Sequence, residues 1–205
     1  MTGAPTVFVV DDEPDVREGL IMLIRSLGLA VEGYPSARNF LDSYQPWRPG
    51  CLVLDVRMPG MSGLELQEHM ERWETPPPII MISGHGEIPM AVQAIKRGAL
   101  DFIPKPFSDQ QLLDRIHQAL KLDAERRRAM QVHRQIRRRY ESLTPREREV
   151  MCEVVAGKIN KVIADNLNIS QRTVEIHRAR AMEKMAADSL SDLVRMAAII
   201  AEDDA

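Results

Sequence analysis

Three carboxylates, a hydroxyl and an ammonium group in this 205-residue chain each follow closely on a short apolar run. Val7–Val10 leads into Asp11 and Asp12, Cys51–Leu54 into Asp55, and Ile79–Ile82 into Ser83. Phe102–Ile103 leads, after Pro104, into Lys105. If those runs are neighbouring strands, the five groups gather at one edge of a sheet. Close carboxylates repel unless a cation neutralises them. Hard oxygen ligands suit Mg²⁺ (or Mn²⁺), and Mg²⁺ keeps several waters and takes one or two carboxylates plus phosphate oxygens. A carboxylate can also attack phosphorus to give an acyl phosphate, leaving the metal, Ser83 and Lys105 to hold the phosphoryl oxygens. Taken singly, each residue has a plainer reading. Asp12 before Glu13-Pro14 can start a helix, Ser83 before Gly84-His85-Gly86 can be a turn residue, and Lys105 can be an exposed lysine. Their joint recurrence at four strand ends favours a site.

A second constellation lies near the carboxyl end. Gln171–Met185 reads as a helix capped by Ser170. At ~100° per residue, Val174, Arg178, Ala181, Met182 and Met185 share one face, which reads as packing. Arg172, Glu175, Ile176 and Ala179 fall opposite, with Arg180 beside them. That face could read bases: Arg suits guanine, Glu accepts from cytosine N4, and the apolar pair suits the thymine methyl. Thr173, His177, Lys184 and, upstream, Lys161 lie where phosphate contacts are plausible. A small helical bundle that binds protein is the other reading, and the acidic Glu175 keeps it open.

The elements that must position these groups follow from the pattern. Helical segments alternate with the apolar runs: Pro14–Leu27, Ala37–Tyr44, Ser62–Trp73 and Ile88–Arg97, with a fifth after Ser108; Ala30–Tyr34 is a weaker strand. Continuous apolar strands alternating with helices predict a parallel sheet covered on both faces, whose site lies beyond the carboxyl ends of the strands. No Gly or Pro interrupts residues 108–143, so the fifth helix can run long. Its Arg126-Arg127-Arg128 and Arg137-Arg138-Arg139 clusters read as a solvated face. Thr144-Pro145-Arg146-Glu147 is a capping box that opens a helix ending at Gly157. Lys161–Leu167, the turn Asn168-Ile169 and Gln171–Met185 then form a helix-turn-helix, and Leu190–Ala201 a fourth helix. The expected division is residues 1–123, a helical linker 124–142, and 143–205.

Net charge is −3 and unevenly spread. Residues 1–123 hold 11 Lys/Arg against 17 Asp/Glu, residues 124–140 hold seven Arg and one Glu, and the rest hold 9 against 12. Global charge therefore gives DNA no help, and local placement must supply the attraction. No run reaches the ~20 apolar residues of a membrane span, and the start lacks the basic n-region of a signal peptide, so a cytoplasmic location is expected. Cys51 and Cys152 have no metal or redox spacing and read as buried free thiols. None of the five histidines forms a metal pair or a nucleophile triad. His85, between two glycines, reads as a loop residue near the site.

Over residues 5–122, VVDDE, LDVRMPGMSGLEL, MISGHGEIPMAVQAIKRGALDF and PKPF resemble the receiver domain of two-component response regulators. The resemblance implies a flavodoxin-like fold with strand order 2-1-3-4-5. It makes Asp55 the phospho-acceptor, and Asp11, Asp12, Asp55 and the Arg57 backbone carbonyl the metal ligands. Ser83 becomes the switch hydroxyl, Phe102 the switch aromatic and Lys105 the phosphate-contacting lysine, with a cis Lys105–Pro106 bond. Ser83 and Phe102 stand where threonine and tyrosine are more frequent. Phe102 is equally readable as a core aromatic, and Pro104 has no functional account. Residues 143–197, with Ser170-x-x-Thr173-Val174-Glu175-x-His177, resemble the LuxR-type domain of NarL/FixJ regulators, and the SGHG loop resembles the FixJ subgroup. The whole implies a DNA-binding transcriptional regulator, an activator, that takes a phosphoryl group from a sensor histidine kinase. Its implied partners are a double-stranded operator, RNA polymerase and, once phosphorylated, a second copy of itself. Three rivals are weaker. An aspartyl-phosphate phosphatase or mutase would need an acid where Arg57 stands. A phosphorylation-independent receiver-like switch is opposed by the intact acidic set, and an RNA-binding antiterminator by the 143–197 motif.

Overall fold

The computed structural model describes residues 4–84 and 88–203; His85 lies outside them. The chain divides into two compact units, residues 1–128 and 129–205, and each is described by itself.

In the first unit, β1 (Thr6–Val10), β2 (Ala30–Tyr34), β3 (Gly50–Asp55), β4 (Ile79–Ser83) and β5 (Asp101–Pro104) form one sheet in the order β2-β1-β3-β4-β5. Every neighbouring pair is parallel. The intervening helices are α1 (Pro14–Ser26), α2 (Ala37–Ser43), α3 (Gly63–Met70) and α4 (Ile88–Lys96), and α5 (Asp109–Glu141) follows β5. Alternation along the strands sends Phe8, Val10, Leu52, Leu54 and Met81 to one face, where they meet Phe40 of α2, Leu66 and Met70 of α3 and Ala94 of α4. Val7, Val9, Cys51, Val53, Ile80, Ile82 and Ile103 pack on the other face against Leu20 and Ile24 of α1 and Leu112, Leu113, Ile116 and Ala119 of α5. This three-layer burial explains why the strands read as unbroken apolar runs. α3 stops at Met70, three residues short of the expected end, and Trp73 beyond it stacks on Tyr44 with ring centroids 5.1 Å apart. Pro104 ends β5, which is an edge strand, so its missing N–H leaves no ladder bond unmade on the open side.

α5 contributes to both units, and the 124–142 segment expected as a linker is shared between them. Arg127 is not part of a solvated face. Its Nε donates to both carboxylate oxygens of Asp123 at 2.8 and 2.9 Å. Its terminal nitrogens donate to the carbonyls of Pro46, Trp47 and Arg48 at 2.7–3.4 Å. Asp123, whose side chain is 4% exposed, also accepts from the Gly50 amide at 2.9 Å. The pair ties α5 to the segment that begins β3.

The second unit contains α6 (Pro145–Val155), α7 (Asn160–Leu167), α8 (Gln171–Met185) and α9 (Leu190–Asp203). Its core joins Val150, Met151, Val154, Ile163, Ala164, Val174, Ala181, Met185, Leu193 and Ile200 with Ile136 and Leu143, so the end of α5 belongs to this core. The Thr144 capping box is formed in full. The turn between α7 and α8 passes through Asn168 in the left-handed region, φ 52°, which Asn tolerates better than most residues. Cys51 is buried as expected, but Cys152 is exposed, because α6 turns Val150, Met151 and Val154 inward.

Removing the Arg127 guanidinium leaves Asp123 buried without its cation. Arg127→Met should destabilise the first unit by about 3 kcal/mol, while Arg126→Met or Arg128→Met, both exposed positions, changes it by less than about 0.5 kcal/mol. Both tryptophans, Trp47 and Trp73, lie in this unit, so urea unfolding followed by tryptophan fluorescence reads it selectively. Equal effects for the three variants would contradict this role.

Candidate functional sites

The carboxyl edge of the sheet gathers the expected groups. Lys105 Nζ lies 2.9 Å from Asp11 Oδ2 and 2.9 Å from Asp55 Oδ1, bridging the ends of β1 and β3. Asp11 is fully buried and Asp55 nearly so. Their remaining oxygens are held by the backbone: the Glu13 amide donates to Asp11 Oδ1 at 2.9 Å, and the Arg57 amide to Asp55 Oδ2 at 2.7 Å. Asp12 is half-buried and lines an open cleft of about 530 Å³ with Val56, Arg57, Met58, Pro59 and Met90. Burial pushes the Asp55 carboxyl up from its usual range, with Asp11 adding to the rise and Lys105 and the Arg57 amide opposing it. Lys105 loses solvation, but its bonds to Asp11 and Asp55 outweigh that and raise it. The cation thus stays charged between two carboxylates.

Ser83 is buried at the end of β4, one residue past Ile82, which pairs with Asp55. The Lys105 amide donates to the Ser83 carbonyl at 2.7 Å, and the Lys105–Pro106 bond is cis, as the receiver resemblance implied. Phe102 is half-buried against the core. The start of α3 approaches the site so closely that a Cβ on Gly63 would collide with the Asp55 carbonyl. Arg17 escaped the sequence reading: its Nη1 donates to the Asp11 carbonyl at 2.7 Å, fixing the Asp11–Asp12 backbone from α1. Its signal was weak, since one arginine in the first turns of a helix usually faces solvent. The donor set fits a hard divalent cation in chemistry, with three carboxylates against one ammonium. Among the described residues, however, no three acidic, His or Cys groups already converge on one point.

In the second unit, α8 exposes Arg172, Glu175, Ile176, Ala179 and Arg180 and buries Val174, Ala181 and Met185. Arg178 and Met182, expected on the packing face, are half-buried, and Arg178 Nη1 donates to Asn160 Oδ1 at the start of α7 at 3.2 Å. Lys161 is exposed and Thr173 half-buried; the Thr173 amide donates to the Ser170 cap at 3.1 Å, and the two hydroxyls are 2.8 Å apart. His177 is half-buried, and its Nδ1 has no hydrogen-bond partner among the described residues. Lys184, placed among the phosphate contacts by its position, has Nζ 2.6 Å from Glu147 Oε2. That bond and the Thr144 amide hold the Glu147 carboxyl down at about 2. The pairing links residues 37 apart, and the sequence carried no signal of it.

Comparison with known proteins matches both units. Residues 7–117 match the family described as "Response regulator receiver domain", and residues 141–197 match "Bacterial regulatory proteins, luxR family". Nodulation protein W of Bradyrhizobium diazoefficiens is 47% identical over 190 residues, covering 93% of this chain and 84% of that protein. Transcriptional regulatory protein FixJ of the same organism is 43% identical over 197 residues, covering 96% of each. The solved structure of the response regulator StyR is 48% identical with a TM-score of 0.87, covering 95% of this chain and 98% of that one. This is a family of transcriptional regulators rather than of enzymes. The chain belongs to the response regulators that join a receiver domain to a LuxR-family DNA-binding domain, and FixJ is among its relatives.

Proposed function

We propose that Asp55 accepts a phosphoryl group from the phosphohistidine of a sensor kinase, and that this controls DNA binding by α8. The observation that carries the reading is Lys105 bridging Asp11 and Asp55 at 2.9 Å on each side, beside an open cleft that can admit a phosphoryl donor. An Asp55 oxygen forms the bond to phosphorus while the bond from phosphorus to the histidine nitrogen breaks; the imidazole leaves with the electron pair and takes up a proton. Lys105 then holds a phosphoryl oxygen, and the Ser83 hydroxyl takes another. Asp11, Asp12, Asp55 and the carbonyl of Arg57 are the residues to hold Mg²⁺ (or Mn²⁺), which when bound neutralises the phosphoryl oxygens. Phe102, half-buried on the edge strand, is the aromatic that responds to movement at Ser83. The intact acid–lysine set favours this over a phosphorylation-independent switch of the same DNA-binding domain.

On the DNA side, Arg172, Glu175, Ile176 and Ala179 read base edges, and Lys161, Thr173, His177 and Arg180 hold the backbone. The exposure of the base-reading four on one side of α8 supports this assignment. Few cations face DNA in the second unit, so one copy should bind weakly, and two copies on half-sites about one helical turn apart would remedy that. α4 leaves Ile88, Val92 and Ile95 exposed in one stripe, a face suited to a second phosphorylated copy. A cytoplasmic activator that engages RNA polymerase completes the reading; no described helix is long and apolar enough to cross a membrane.

Incubation with a small-molecule phosphodonor and Mg²⁺ should add one phosphoryl group to the wild type, seen by intact mass, and convert it from monomer to dimer in sedimentation. Asp55→Asn should do neither. Equal phosphoryl yield and stability in Asp55→Asn would refute the acceptor. A phosphorylated wild type that stayed monomeric and yet bound its operator tightly would refute the dimer.

Glu175 carries the wrong sign for phosphates on an exposed face, so its value is in selection. Glu175→Ala should relax preference at one base pair per half-site by ~1–3 kcal/mol, read by selection from a randomised duplex pool. An unchanged preference would remove that role.

A further inference from the structure

We propose that Lys184 is a positioning residue for DNA recognition: it neutralises the buried Glu147 carboxylate and thereby fixes the rotation at which α8 presents its base-facing side chains. This deepens the reading above and rests on α8 entering the major groove.

Glu147 is the third residue of α6, and its side chain is only 3% exposed. Its Oε2 accepts from the Thr144 amide at 2.9 Å, closing the capping box that the Glu147 amide completes on Thr144 Oγ1 at 3.3 Å. That bond uses the carboxylate as an acceptor but does not balance its charge. Lys184 does, at 2.6 Å, and its ammonium also lies 3.4 Å from the Ser142 carbonyl. A second tether meets the same turn: Arg139 Nη1 donates to the Met185 carbonyl at 3.2 Å. The last turn of α8 is therefore held at a side chain and at a backbone carbonyl, both by the segment 139–147.

The consequence is geometric. Each residue of an α-helix turns ~100°, so the angle of the last turn sets where Arg172, Glu175, Ile176 and Ala179 point. Ile176 is eight residues from Lys184, about 12 Å along the axis, close enough for a rigid helix to carry that angle without loss. Swinging the Lys184 side chain, 36% exposed, fully out to a phosphate would take its ammonium from Glu147. An exposed lysine–phosphate pair is screened by salt, whereas a buried carboxylate deprived of its cation is strongly disfavoured. The ammonium stays with Glu147.

The two roles predict opposite patterns, because non-specific binding needs only charge and specific binding needs the orientation of the helix. The test uses the full chain, phosphorylated, with a duplex selected from a random pool by the wild type and with a scrambled duplex. Lys184→Met should weaken the selected duplex about tenfold and the scrambled one less than about twofold, with an unchanged slope of log affinity against log salt. Lys184→Arg, which can still pair with Glu147, should recover most of the loss. Glu147→Gln keeps an acceptor for the cap and should reproduce the Lys184→Met pattern, and the double variant should lose no more than either single one. Equal weakening of both duplexes with the salt slope shallower by about one would make Lys184 a phosphate contact and overturn the assignment alone. Additive losses in the double variant would overturn it as well. A wild type that selects no duplex would overturn it together with the DNA-binding reading on which it rests.

Discussion

Two buried carboxylates at the carboxyl edge of a parallel sheet repel one another, and in this protein Lys105 holds them together, 2.9 Å from each. Much of the first unit serves that arrangement. β1 and β3 must be neighbours for Asp11 and Asp55 to meet, and β5 must end level with β4, Pro104 beside Ser83, for Lys105 to reach across. The turn after β3 must return its amide to Asp55, and α3 must begin on a glycine because nothing larger fits against the Asp55 carbonyl. The same charge balance makes the site chemically ready. The carboxylates carry more negative charge than one lysine cancels, which favours a divalent cation, and the cleft beside Asp12 and Arg57 leaves room for the incoming group.

The second unit solves a comparable problem with the same pair of groups and a different outcome. Glu147 is buried for the sake of a helix cap, and the cation it requires comes from the last turn of α8. In the first unit a lysine lies between two carboxylates at the proposed phosphoryl site; in the second, a lysine on one carboxylate is the proposed frame that orients a helix. Burial and surroundings separate the two. Lys105 sits between two acids, its own amide bonded to the carbonyl of the buried Ser83, while Glu147 faces one lysine and its own cap.

The parallel sheet and the grouping at its carboxyl edge were legible because the strands are buried on both faces and end in chemically distinctive residues, while the strand order came from the receiver resemblance. Asp11, Asp12, Asp55, Ser83 and Lys105 could be placed at one edge from spacing alone, and the exposed side of α8 followed from helical periodicity. What periodicity gives is a face; it does not give the partner across it. Arg127 sat in a run of three arginines that reads as solvated, although Asp123 four residues earlier was a sign that one of the three is paired. Ile136 and Tyr140 fall in the segment expected as a linker, yet they pack into the second core, because the surface they cover comes from helices further along the chain. Cys152 was misread for the related reason that a small apolar residue does not reveal which side of α6 it takes. Lys184 shared a helix with the residues proposed to meet DNA, and only the fold brought it to Glu147.

The central claim is that the chemistry at Asp55 governs the affinity of α8 for DNA. Fluorescence anisotropy of a selected operator duplex, titrated with protein before and after treatment with a phosphodonor and Mg²⁺, measures it directly. The account predicts tighter binding by treated wild type and no change in Asp55→Asn, with a steeper salt dependence in the treated wild type as two copies bring twice the phosphate contacts. Identical affinities for treated and untreated wild type, or equal tightening in Asp55→Asn, would contradict it.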